Sequence, residues 1–313
     1  MAAETARQRL SRELLFASFA RPTTETDDPR SFERLAASVE AQTVRAGDVL
    51  FREGEPAEHV YFMIEGRLRL SRPGLADWVY EGWWVIGTTD ALAGRPRRRT
   101  ATIETDTRLS RLPAGRWFEV MRSRPEVLLD TLVGFARGAA VLHAQLAPDG
   151  GFLPPAPPAR RFDVATPAGR ARLLASLPLL RGAAAQVLVE LAALADCREL
   201  AAGDALFSAG EPCGRAFVVA EGAVEITRSG PDVRATFGPG SLVGDALCLG
   251  APDGAWAARA AGPARVLSFS IDELFDLLEG HHESVRALMG TFSLEQERLR
   301  EELGARTGEL VLR

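Results

Sequence analysis

The sequence predicts a mixed α+β protein built from two tandem antiparallel β-roll domains, jelly-roll-like and each flanked by helices. Three observations carry that prediction. The chain repeats itself: residues 44–70, VRAGDVLFREGEPAEHVYFMIEGRLRL, return as residues 200–226, LAAGDALFSAGEPCGRAFVVAEGAVEI, in constant register. Each copy breaks into short β-prone runs bounded by Gly, Pro and Asp, the rhythm of a small sandwich or barrel. Helical periodicity brackets each set of runs. With 313 residues the chain has room for two domains of ordinary size.

Taken in order, residues 31–42 read as an amphipathic helix with Ser31 as its N-cap. Strands are expected at 49–52, 60–64 and 67–71, with partners at 205–208, 216–220 and 223–228. Glu65-Gly66 and Glu221-Gly222 fall between strands, where glycine would supply the positive φ of a hairpin turn. Residues 123–146 read as a long helix with Leu132, Phe135, Ala139, Leu142 and Leu146 in a narrow apolar seam. The Pro- and Gly-rich stretch that follows marks a semi-rigid linker. The second copy begins near Thr166, has a helix at 184–194 and ends in a helix from about 283 to 313, with Leu288, Phe292, Leu299 and Leu303 on one face. The expected domains are therefore 1–146 and 166–313, joined by a linker at 147–165. The helices 123–146 and 283–313 are expected to carry self-association as a homodimer, or contact with a protein partner.

Composition removes several function classes. The formal net charge is −5 and every one of the 37 basic residues is Arg, so no global basic field is available to hold nucleic acid. The tail after the second roll is short, acidic and amphipathic. It is not expected to form a helix-turn-helix, which needs several helices and a basic or polar recognition helix. A transcription regulator is the weakest of the regulatory readings. Cys197, Cys213 and Cys248 are far apart and read as buried small hydrophobes in a reducing compartment. No apolar run spans a membrane and the N-terminus is too charged for a signal peptide, which places the protein in the cytoplasm. Of the four histidines, His281 and His282 are adjacent on a helix, where their side chains diverge; they read as solvated rather than metal-binding. No P-loop, Gly-x-Ser-x-Gly, HExxH or paired-carboxylate pattern occurs, so no catalytic residues or metal ligands are expected. Trp78, Trp83 and Trp84 cluster in DWVYEGWW, and strand alternation would put Trp83 and Trp84 on opposite faces.

A β-roll marked by AGD-x-LF-x-x-GEP, followed by a Gly/acid/Ala-Leu segment and an Arg-Thr-Ala, resembles the cyclic nucleotide-binding domain of catabolite activator proteins and protein kinase A regulatory subunits. The resemblance covers both halves of the chain. It implies a phosphate-binding cassette of the form Gly-Glu-x-Ala-Leu, a turn, then Arg-(Ser/Thr/Ala)-Ala. There the backbone N–H groups and the Arg hold a cyclic phosphate while the Glu accepts from the ribose hydroxyl.

In the first copy the implied cassette is Gly87, Thr88, Thr89, Asp90 and Ala91, then Arg99, Thr100 and Ala101. Its second half matches; in its first half Thr88 stands where the family has Glu, and Asp90 is the only acid near. Of the neighbouring arginines, Arg98 should face away from Arg99, while Arg95 and Arg97 read as part of a solvated turn. In the second copy the cassette is Gly244, Asp245, Ala246 and Leu247, then Trp256 and Ala257, and Trp256 stands in the place of the Arg. Arg259 is an odd number of positions from Trp256 and should point the other way. The resemblance thus implies a non-enzymatic regulator with cyclic AMP or cyclic GMP as ligand of the first domain and a degenerate second cassette. The alternative is an interaction or assembly scaffold whose pockets have decayed. Thr88 and Trp256 favour the scaffold; Arg99, Thr100 and Ala101 favour the ligand.

Overall fold

The computed structural model describes residues 40–123, 125–146, 162–177, 180, 183–211, 214–228, 233–244 and 256–312. Two compact units divide the chain. One takes it up to Leu128 together with Arg300–Arg313, and the other is Leu129–Leu299. This division differs from the one expected: the last fourteen residues go with the first copy, and the expected linker falls largely outside the described residues.

The first unit holds β1 (Glu40–Val44), β2 (Val49–Phe51), β3 (His59–Ser71), β4 (Asp77–Glu81), β5 (Trp84–Ile86), α1 (Thr88–Leu92), β6 (Thr100–Pro113), α2 (Ala114–Ser123) and the start of α3 (Pro125–Leu146). Its sheet runs β1-β6-β3-β4, with β2 added on β6 and β5 on β3. The centre is the long antiparallel pairing of β3 and β6, from His59 opposite Pro113 to Ser71 opposite Thr100. The core lies on its inner face, with Val60, Phe62, Met63, Leu68, Ile103, Leu109 and Leu112 buried. Burial alternates along Leu68–Leu70 and along Ala101–Ile103, whereas Val60–Met63 are buried at four successive positions.

The second unit repeats the plan with the long strands broken. After the rest of α3 come α4 (Pro167–Ser176), α5 (Ala185–Leu194), β7 (Asp196–Leu200), β8 (Ala205–Phe207), β9 (Arg215–Glu221), β10 (Val224–Arg228), β11 (Val233–Phe237), β12 (Leu242–Val243), β13 (Trp256–Ala260), β14 (Ala264–Ser270), α6 (Ile271–Glu279) and most of α7 (His282–Thr307). Two four-stranded sheets result, β11-β10-β13-β8 and β12-β9-β14-β7. Thr166 caps α4 by accepting from the Gly169 amide at 3.1 Å, with Pro167 in the first turn. Val187 and Leu191 of α5 pack with Leu173 and Leu174 of α4 against Val218, Leu267 and Phe269 of the sheet.

The Glu-Gly pairs are not hairpin turns. β9 and β10 pair with β14 and β13 rather than with each other, and β3 runs unbroken through Gly66. Gly66 and Gly222 do take positive φ, 123° and 78°, but Gly66 does so within β3, at a register shift in its pairing with β6, and Gly222 between β9 and β10, where the chain passes from one sheet to the other. A Cβ on Gly66 would stand 2.8 Å from Thr107 Cα; one on Gly222 would stand 2.7 Å from Ala264 Cα. The glycine is required by the approach of the crossing strand as much as by φ.

Four further expectations change. Residues 40–42 belong to strand β1, not to a helix, and 31–39 lie outside the described residues. α7 stops at Thr307, and Glu309–Leu312 form a strand, β15, that pairs in parallel with β4 from Glu309 opposite Asp77 to Leu312 opposite Tyr80. Gly308, at φ 81°, makes the break. Cys197 is exposed rather than buried, while Cys213 and Cys248 lie outside the described residues. His281 is half-buried and 3.3 Å from Glu190, and buried His143 is 2.8 Å from Glu295. The seam of α3 is buried at Leu132, Ala139, Leu142 and Leu146, and within this unit α3 is tied to α7, Gln296 Nε2 donating to the Phe135 carbonyl at 2.6 Å. Part of the surface expected for self-association is thus used within the chain. Leu288, Phe292, Leu299 and Leu303 are all buried as the periodicity predicts. Among the described residues no helix is long and apolar enough to cross a membrane.

Gly66→Ala is expected to destabilise the first unit by roughly 2–4 kcal/mol, and Gly74→Ala by only about 1 kcal/mol. Gly74 has a similar positive φ but open space where its Cβ would stand. Urea unfolding of the two variants separates backbone strain from the tightness of the corner.

Candidate functional site

The cassette of the first unit begins at Gly87, whose φ of 85° turns the chain out of β5 and into α1. Thr88 and Thr89 open this one-turn helix and are half-buried; Ala91 and Leu92 face the core. Asp90 is turned into its own loop. Its carboxylate accepts from Arg95 Nε at 2.9 Å and from the Arg98 amide at 3.4 Å, so it braces the turn. It does not stand in for the acid missing at Thr88.

The strand that closes the cassette brings two guanidinium groups inward. Arg99 is 4% exposed; its Nη1 donates to the Ala76 carbonyl at 2.8 Å and to the Leu70 carbonyl at 3.3 Å. The group lies over the Trp78 ring, 3.7 Å from its centroid. Its Nη2 is 4.0 Å from Glu301 near the end of α7, where Arg300 also reaches Trp78 at 5.9 Å and Gly304 packs on Ala76. Thr100 Oγ1 accepts from the Glu53 amide at 3.1 Å, and Ala101 is fully buried. Arg98 is half-buried with its neighbours Arg97 and Arg99 inside, as alternation predicts.

Arg97 corrects the sequence reading. It is 2% exposed, not solvated. Its Nη1 donates to the Gly87 carbonyl at 2.8 Å and its Nη2 to the His59 carbonyl, with the guanidinium 4.4 Å from the Phe51 centroid. A Cβ on Gly87 would lie 2.5 Å from Arg97 Nη1, so the cassette glycine makes room for this side chain. Burial pulls the Arg97 pKa below its ordinary value, opposed by nearby Asp90 and Tyr61. The same parity that marks Arg99 also marks Arg97, two residues earlier; that signal was available in the sequence. Trp78 carried no such signal, because its partner arrives from another strand.

The profile of the cyclic nucleotide-binding domain matches residues 41–124 and again 197–281, together more than half of the chain. The chain belongs to the cyclic nucleotide-binding domain family. Other similarities are partial or distant. Patatin-like phospholipase domain-containing protein 6 from Homo sapiens and from Mus musculus is 32% identical over 96 residues, which is 29% of this chain. The chain spans only 7% of the length of these curated relatives. Among solved structures, the regulatory domain of Toxoplasma gondii PKA with cAMP is 16% identical over 96% of this chain and 97% of that one, with a TM-score of 0.33. The N-terminal domain of a transcriptional regulator from Streptomyces coelicolor is 29% identical over 42% of this chain and 93% of that one, with a TM-score of 0.36.

The family's cassette is altered in the second unit. Gly244 is buried with φ 91°, matching Gly87, whereas Asp245, Ala246 and Leu247 lie outside the described residues. Trp256 is buried where the first unit has Arg99, and Ala257 beside it is half-buried. Arg259 is exposed and pairs with Glu225 at 2.7 Å, facing away from Trp256 as its parity predicts. Near the first cassette, Trp83 is 42% exposed while Trp84 is half-buried, donating from its ring to the Glu81 carbonyl at 3.1 Å. Among the described residues no group of His, Cys, Asp and Glu has the geometry of a metal site.

The end of the chain is anchored close to Arg99 by charge. Arg67 and Arg69 of β3 share Glu104 of β6, at 2.5 Å each. Arg67 also reaches Glu81, and Arg69 reaches Asp77 and, at 2.6 Å, Glu309 of β15. The hydrogen bond to Glu309 outweighs burial at Arg69 and, with Glu104 and Asp77, raises its pKa. At Glu104 burial opposes ionisation, but the hydrogen bonds from Arg69 and Arg67 overcome it and lower its pKa. A depressed carboxylate stabilises the fold above its unfolded pKa, and that contribution fades as pH falls through the folded value. Glu104→Gln is therefore expected to cost about 1–2 kcal/mol at pH 7, the difference from wild type shrinking toward zero below about pH 4. Thermal unfolding of both proteins across pH 3–7 measures it.

Proposed function

We propose that the chain is a non-catalytic regulatory protein whose first domain takes a cyclic nucleotide, cyclic AMP or cyclic GMP, with the phosphate against Arg99. The observation that carries this reading is the placement of Arg99 itself. It is a buried guanidinium in the family's cassette position, held on Trp78 by two neutral carbonyls that a phosphate oxygen would outcompete as an acceptor. Glu301 and Arg300 lie at the same Trp78–Arg99 pair, so a ligand there would be felt by the last turns of α7 and by β15. Such a protein transmits binding as a change in the position of an attached helix and strand, with no bond made or broken.

One observation favours a second reading, an assembly scaffold that needs no ligand. Asp90 braces its own turn and Thr88 supplies no carboxylate, so the first cassette offers no acid for a ribose hydroxyl. The two readings part on titration. Under the regulatory reading, cyclic AMP or cyclic GMP gives a saturable heat and raises the thermal midpoint, by about 2.7 kcal/mol of added stability at one hundred times Kd. Arg99→Gln then weakens binding by a factor of tens to thousands. No heat and no shift at millimolar nucleotide would sink the regulatory reading and leave the scaffold.

A further inference from the structure

We propose that the second domain has an anion site of its own, in which Arg228 of β10 supplies the guanidinium that Trp256 displaced from the cassette strand. The register of the repeat makes Arg228 the counterpart of Arg72 and Ala209 of Glu53, and the matching place in the two ladders makes Trp256 the counterpart of Arg99. Three positions have thus changed together around one point.

In the first domain the two arginines would meet head on. Ser71 pairs with Thr100, so one step further along the ladder sets Arg72 opposite Arg99. Like charges directly opposed are destabilising. The first domain keeps them apart by drawing Arg72 to Glu53, at 3.1 Å, while Arg99 lies on Trp78. In the second domain Arg228 pairs directly with Trp256, and Ala209 supplies no acid where the first domain has Glu53. Its guanidinium lies over the Trp256 ring, 5.5 Å from the centroid. Among the described residues it meets no carboxylate, and its Nε is buried without a hydrogen-bond partner. Arg259, the other nearby cation, is committed to Glu225 on the outer face.

A half-buried guanidinium on an indole, with one N–H unspent and no carboxylate against it among the described residues, is a receptor for an oxyanion. Its place, beside the residue that occupies the cassette arginine's position, gives the class of ligand: a phosphate group, either free or esterified in a nucleotide. The guanidinium reaches the site from the neighbouring strand, so the altered second cassette keeps its charge while losing the Arg of its motif. This site is independent of the first domain's ligand, and its test reads the second domain alone.

The test is fluorine NMR of the full chain labelled with 5-fluorotryptophan, the Trp256 and Trp78 signals being assigned with Trp256→Phe and Trp78→Phe. Inorganic phosphate, cyclic AMP and cyclic GMP are titrated separately against chloride at matched ionic strength. The expected result is a saturable shift of the Trp256 signal with at least one phosphate probe, weakened at least tenfold in Arg228→Gln. Response to inorganic phosphate marks a free-phosphate site, and response to a cyclic nucleotide alone marks a nucleotide site; both support the proposal. Ala209→Glu should also suppress the shift, by restoring the ion pair that holds Arg72 in the first domain, and it does so without removing Arg228. A Trp256 signal unmoved by all three probes, or moved equally in both variants, overturns the proposal. The Trp78 signal reports the first domain separately, so failure there leaves the second-domain result readable.

Discussion

The pairing of β3 with β6 is the constraint on which the first domain depends. These strands are long enough to belong to both faces of the roll, and they turn the corner together where Gly66 lies against Thr107. A side chain at Gly66 would force the strands apart at the point where the sheet must bend most. Upstream of the corner, β3 carries β5 and so positions Gly87; downstream, it faces the start of β6 and so positions Arg99. Both ends of the cassette are thus fixed by one ladder. The second domain solves the same problem by breaking each long strand in two, with Gly222 at the corner against Ala264.

Buried arginines are the second organising fact. A guanidinium withdrawn from water needs its N–H groups satisfied. In the first domain backbone carbonyls do much of this work: Gly87 and His59 for Arg97, Leu70 and Ala76 for Arg99. Aromatic faces, Phe51 and Trp78, supply the rest of the surroundings. Neutral acceptors hold a cation in place without neutralising it. A guanidinium held in this way keeps its charge, since no carboxylate is in full contact with it.

What was legible in the sequence follows from what is local or repeated. The AGD-x-LF-x-x-GEP skeleton recurs, so the two rolls and most of their strands are legible without coordinates. Strand parity placed Arg98 and Arg259 correctly relative to Arg99 and Trp256. Applied to Arg97 the same rule would have put it inside; the run of four arginines disguised one buried charge as part of a solvated turn. The Glu-Gly pairs were misread because positive φ looks alike at a hairpin and at a sheet corner, and only the pairing partner tells them apart. β15 was out of reach for a different reason. Four residues after a long amphipathic helix continue its pattern well enough. What makes them a strand is an exposed edge at β4 and the Arg69–Glu309 ion pair, a contact between distant parts of the sequence. Trp78 beneath Arg99 is likewise a meeting of β4 with β6, invisible to spacing.

The two copies bring a guanidinium and an indole together in two different ways. A cross-strand pair of arginines is unstable unless each is drawn aside, and the first domain spends an acid and an indole to do so. Once Trp stands in one of the two places, the indole comes from within the pair and the acid is no longer needed; Glu53 has become Ala209 in the second copy. With Trp256 opposite it Arg228 meets no like charge there, and it lies over the indole where Arg72 turns to Glu53. Read residue by residue, the motif of the second cassette has failed, because its arginine is gone. Read as a strand pair, a guanidinium and an indole are both still present, with the guanidinium supplied by the opposite strand. A motif records which position in the chain holds a charge, whereas a ligand responds only to where that charge stands in space.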